Sequence, residues 1–124
     1  MTNSLLLAAL LTFVVGLAHS ILGERYILTR LFRRKDLPHL FGGPEFTMRT
    51  LRFAWHLTTV AWWGFAAILV LMARQTLSTQ NVGVVLAVTF LFAGAIAAVV
   101  SRGRHLAWPV FVIIGGICAW AAAS

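Results

Sequence analysis

Four long stretches of this chain carry almost no polar side chain, and short polar or basic breaks separate them. The apolar runs cover residues 5–23, 53–73, 82–100 and 106–123. Each is close to the ~20 residues a helix needs to cross the hydrocarbon core of a bilayer. Within each run the apolar residues are continuous, which excludes the alternating strands of an outer-membrane barrel. Lipid cannot satisfy exposed backbone groups, so spanning segments of this kind are helices. The expected fold is an all-α integral membrane protein, a single domain over residues 1–124. Its four transmembrane helices would form an up-down-up-down bundle, with helices 1 and 2 extended into the cytoplasm.

Composition strengthens this reading. Hydrophobic residues make up 60% of the 124 and charged residues 10%, with a mean hydropathy of +0.91. A soluble domain is about 25% charged, and one this small buries only about two-thirds of its chain's surface. This much apolar surface needs lipid as its solvent. The first run has no positive charge ahead of it and is longer than a signal-peptide core, so it reads as a retained helix. The single Cys118 lies inside the fourth run, which leaves no disulfide framework and no thiolate cluster.

Charge orients the chain. Nine of the ten basic residues, all but Arg74, fall in the 25–52 and 101–105 connections. Basic loops stay cytoplasmic, so both termini are expected on the non-cytoplasmic side of a bacterial inner membrane. The pI near 11.7 then reflects topology and contact with anionic headgroups. No soluble domain is left to bind nucleic acid.

Beyond the first apolar run, ERYILTRLFRR keeps Tyr26, Ile27, Leu31 and Phe32 at helical spacing, so helix 1 should run to about Arg34. Asp36, Pro38, Gly42, Gly43 and Pro44 break it, and the apolar Leu37, Leu40, Phe41 and Phe46 place this connection on the membrane surface. Pro44-Glu45 reads as a helix start, and helix 2 should continue to about Arg74. Gly103 suits a C-terminal cap and Pro109 a first turn. Short turns make helices 3 and 4 a hairpin. Small residues mark packing faces: Gly16 and Ser20; Gly94 and Ala98, with Ala93, Ala97 and Ser101 on the next row; Gly115, Gly116 and Ala119.

The polar residues then gather at one end. His19 lies in the inner third of helix 1, His56 a turn inside helix 2, His105 at the start of helix 4 and His39 in the inner loop. Ser20 and Glu24 share a helix face, and Arg49, Arg52, His56, Thr59 and Trp63 form a stripe on helix 2. Glu24 and Arg52 have similar depth and opposite charge, so they are expected to pair, with His19 and His56 packed above. Ionisable groups in a membrane are costly and tend to mark function. Ordinary readings stand beside this one. His19 and His56 also fit interfacial histidines bonded to carbonyls, Glu24 a surface acid, and the tryptophans an aromatic belt, although Trp62 and Trp63 lie too deep for that.

Three chemistries fit the cluster. His19, Glu24, His56 and His105 are a plausible transition-metal set. Two histidines on different helices suit axial haem ligation, with His19, His56 and Trp63 as the cofactor residues. Arg49, Arg52, Arg102 and Arg104 suit an anion or a lipid headgroup. No H-E-x-x-H or C-x-x-C-H motif supports any of them. His19 and Ser20 are adjacent and diverge on a helix, which argues against a Ser-His hydrolase. No mid-membrane break suggests a transporter.

HSILGERYIL (residues 19–28) followed by LRFAWHLTTVAWWG (residues 51–64) resembles small four-helix bacterial inner-membrane proteins of uncharacterised activity, a resemblance that implies the fold and no residue role. The leading functional expectation is an accessory subunit of a larger membrane complex that binds a metal, haem or anion at its cytoplasmic side. It would be covered by anionic lipids and joined to a protein partner or a second copy. A small oligomeric transporter or channel, and a membrane-embedded His-metal enzyme, are the alternatives.

Overall fold

The computed structural model describes residues 1–124 and is all-helical. Helix α1 covers Thr2–Leu31, with a π-helical stretch over Gly23–Leu28. Helix α2 covers Glu45–Ala73, α3 Thr79–Ser101 and α4 Ala107–Ala123. The first three are long and apolar enough to cross a membrane. The fourth occupies most of the expected 106–123 run but has 17 residues, at the lower end of the ~17–25 that spanning helices use.

Local chemistry sets the ends. Pro44 caps α2 and Glu45 stands in its first turn, where an acid complements the helix dipole. The Ser78 hydroxyl accepts the Asn81 N–H at 3.1 Å to start α3. At the other end of α3 the residue in the left-handed conformation is Arg102, at φ 52°, followed by Gly103 at φ 73°. Gly103 N–H donates to the Ala98 carbonyl at 2.8 Å and Arg102 N–H to that of Val99 at 3.2 Å. The expected glycine cap is thus a two-residue turn entered by an arginine. Helix α2 closes in the same way through Gln75, at φ 56°. Helix α1 stops at Leu31, three residues before the expected Arg34. Arg34 instead bonds Asp36 through both carboxylate oxygens, at 2.8 and 2.6 Å. Its side-chain hydrogen bonds hold the Asp36 carboxyl down to about 2. This exposed contact is therefore present above the ordinary carboxylate range and is lost as pH falls toward that value.

Packing is serial. Helix α1 packs on α2, α2 on α3, and α3 on α4, and no other helix pair packs, so the bundle is open. Small residues make each contact close. Gly16 meets Thr59 and Trp63, Gly23 meets Trp55, Gly64 meets Thr89, and Gly94 and Gly115 bring α3 and α4 together. Only 17 of 124 residues are buried. Each helix therefore keeps a bare apolar face, represented by Leu11 (60% exposed), Phe65 (60%), Val88 (62%) and Ile113 (61%).

Candidate functional site

The expected ion pair joins α1 to α2. Arg52 Nη2 lies 2.9 Å from Glu24 Oε1, and Arg52 Nε donates to Oε2 at 3.2 Å. Glu24 sits in the π-helical turn, a local widening often found at functional positions. Arg49 is engaged by Glu45 at 3.3 Å. Two of the four arginines expected to hold an anion are therefore already paired. Arg102 and Arg104 have no acidic partner.

From Glu24 a chain of polar contacts runs down the α1–α2 seam. Glu24 Oε2 lies 3.3 Å from His56 Nε2. His56 Nδ1 lies 2.8 Å from Ser20 Oγ. Ser20 Oγ lies 2.7 Å from Thr59 Oγ1, and Thr59 donates to the Gly16 carbonyl at 3.0 Å. Both ends of this chain, a carboxylate and a carbonyl, are acceptors. Four links therefore need four protons. The two hydroxyls bring one each. A guanidinium that donates to both oxygens of Glu24 pairs with the carboxylate form, so the other two protons belong to the His56 ring, one on each nitrogen. The complete chain describes an imidazolium. With a neutral ring, one of the four contacts has no proton in it.

His19 is not part of this chain. Its ring stacks on Trp55 at 4.5 Å and 1°, with Trp62 tilted against it at 5.0 Å. The Trp55 indole N–H donates to the His19 carbonyl at 3.0 Å, while His19 Nε2 is buried without a protein partner. His105 stands apart as well. Its Nδ1 accepts the Ala107 N–H at 3.1 Å, and its ring packs between Phe46 and Phe53. The four side chains expected to share a metal thus divide among three settings, and no group of three or more His, Cys, Asp and Glu residues comes together to hold a metal ion. Likewise His19 and His56 do not face each other as an axial pair. His19 belongs to the aromatic stack, and His56 to the polar seam. The Trp63 indole N–H donates to the Phe13 carbonyl at 3.2 Å, and the ring lines two apolar grooves.

Ser20 and Thr59 are the site residues that sequence reasoning passed over. The sequence places Ser20 on the Glu24 face of helix 1 and weighs it as a catalytic partner only against the adjacent His19, whereas its partner is His56 on the other helix. The signal was present in two spacings: Ser20 and Glu24 four apart on α1, and Arg52, His56 and Thr59 four and three apart on α2. The Ser20–His56–Glu24 order resembles a hydrolytic triad, but none of the five principal grooves is lined by Ser20 or His56. Comparison with protein-family models, curated proteins and solved structures finds no match to this chain.

Proposed function

We propose that the chain is a non-catalytic accessory protein of a bacterial inner membrane whose α1–α2 seam is a proton-responsive joint. The chain lies in the bilayer as an up-down-up-down bundle with both termini outside and the basic connections in the cytoplasm, as the positive-inside rule directs. The observation that carries the reading is the proton count of the Glu24–His56–Ser20–Thr59–Gly16 chain, which is complete only with a doubly protonated ring. Among the helices, α1 packs only on α2, so this seam sets where α1 stands. A proton lost from His56 removes one of the four links that join α1 to α2. Helix α1, with its apolar outer face, is then free to change its angle against a partner complex. The ligand class is thus a proton. A metal or an axially ligated haem lacks a converging donor set here, and outer-half hydroxyls such as Thr12 and Thr89 bond their own helices, which gives a transport path no support.

The test places spin labels at Leu6 and Val70, which line one α1–α2 groove, in protein with Cys118→Ser, reconstituted in bilayers. The expected result is a single short distance while His56 carries two protons and a broadened distribution once it has lost one, with no such step in His56→Gln. A distance that is constant across the titration, or that changes equally in His56→Gln, would sink the reading.

A further inference from the structure

We propose that the lateral groove between α1 and α2 beside His19 is a binding site for one anionic phospholipid, with an acyl chain in the groove and the phosphate held by Arg25 and Arg30. The groove has a volume of about 460 Å³ and is walled mainly by apolar and aromatic side chains, among them Ala18, Leu22, Tyr26, Trp55 and Trp62. That size lies within the roughly 300–1,000 Å³ of small-ligand sites. An apolar wall alone would take any lipid tail. Charge at the mouth makes the site selective. The Arg25 and Arg30 guanidinium groups stand 5.5 and 6.0 Å from the centre of the Tyr26 ring, and Tyr26 is itself a wall of the groove.

Neither arginine has a carboxylate partner, and both are exposed. Cation–π contact holds both guanidinium groups beside the ring, so a doubly cationic clamp meets the end of a hydrocarbon slot. An anionic headgroup with an attached chain has that shape and charge. A neutral lipid leaves the two cations unanswered, and free phosphate leaves the slot unfilled. The site shares no residue with the His56 seam. It also moves headgroup recognition from Arg49 and Arg52, which face acids, to Arg25 and Arg30.

The proposal rests on the bilayer reading above. A chain that stays soluble without detergent would fail that reading, whereas a detergent-dependent chain that retains no anionic lipid would fail this proposal alone. The test is native mass spectrometry of the full chain in detergent, titrated with dioleoyl phosphatidylglycerol or dioleoyl phosphatidylcholine. One phosphatidylglycerol per chain is expected to bind in preference to phosphatidylcholine. The Arg25→Gln, Arg30→Gln double variant should weaken it about 30-fold, as for two basic contacts at a membrane surface. Arg33→Gln with Lys35→Gln removes the same charge away from the groove and should leave binding nearly unchanged. Ala18→Phe fills the slot, touches no charge and should also expel the lipid. Inorganic phosphate should not displace it. Equal loss in the Arg33 and Lys35 variant, equal binding of phosphatidylcholine, displacement by phosphate, or no effect of Ala18→Phe would each overturn the proposal.

Discussion

Gly23→Ala is expected to loosen the α1–α2 seam more than a methyl group added at any other glycine. The new Cβ would overlap the Trp55 indole at Nε1 and Cε2 and lie 2.7 Å from Cζ2. That ring has little freedom to retreat. Its N–H is bonded to the His19 carbonyl at 3.0 Å, and its face is stacked on the His19 ring at 4.5 Å. Overpacking costs about 1–3 kcal/mol, and the indole hydrogen bond about 1 kcal/mol more. The gain in helix propensity from glycine to alanine offsets about 1 kcal/mol. The net loss is about 1–3 kcal/mol, read as the stability of the α1–α2 contact in a reversible unfolding assay. Gly116→Ala is the control. Nothing lies within 4 Å of its Cβ, so the propensity term acts alone and the variant should be stabilised by about 0.5–1 kcal/mol. Destabilisation of both variants to the same extent would show that the Trp55 contact is not what matters at Gly23.

Glu24→Gln should be the most damaging loss of a single charge. It leaves the Arg52 guanidinium without its counter-charge and takes the carboxylate away from the His56 ring. Removing one partner of a buried pair costs about 3–5 kcal/mol, and an exposed pair contributes at most about 1 kcal/mol. The Glu24 and Arg52 side chains are 35% and 39% exposed, so the expected loss is about 2 kcal/mol after discounting for screening. Glu45, whose side chain is 74% exposed in its pair with Arg49, should lose no more than about 0.5 kcal/mol on the same change. A double-mutant cycle of Glu24→Gln with Arg52→Gln should show coupling of about 1 kcal/mol or more. Equal and small effects at Glu24 and Glu45 would make Glu24 an ordinary solvated acid.

Much of the fold was legible because its causes are local. Long apolar runs dictate helices, Pro44-Glu45 and Ser78 mark starts, and the small residues at Gly16, Gly94 and Gly115 mark close contacts. The Glu24–Arg52 pair was legible because depth and opposite charge suffice to predict it. What was not legible depends on rotation between helices. The π-helical turn at Gly23–Leu28 has no composition signal, and it alters the facing of everything after it. His19 and His56 have similar depth, yet one turns to the Trp55 and Trp62 stack and the other to Ser20. Depth along a helix follows from counting residues, while azimuth follows from packing, and a metal set needs both. His105 also showed a helix-start position in the sequence, but its role as acceptor for the Ala107 N–H depends on a turn conformation that Arg102 adopts against its ordinary preference.

The central claim is that a closed α1–α2 seam holds two protons on His56. The most direct measurement is solid-state NMR of histidine-labelled protein in bilayers, with His56 assigned by its loss in His56→Gln. Both ring-nitrogen shifts and the four contacts from Glu24 through His56, Ser20 and Thr59 to Gly16 are read in the same sample. The account predicts that whenever all four contacts are present both ring nitrogens carry protons, and that a ring nitrogen without a proton appears only together with loss of at least one of them. A closed seam around a neutral His56 ring would contradict it.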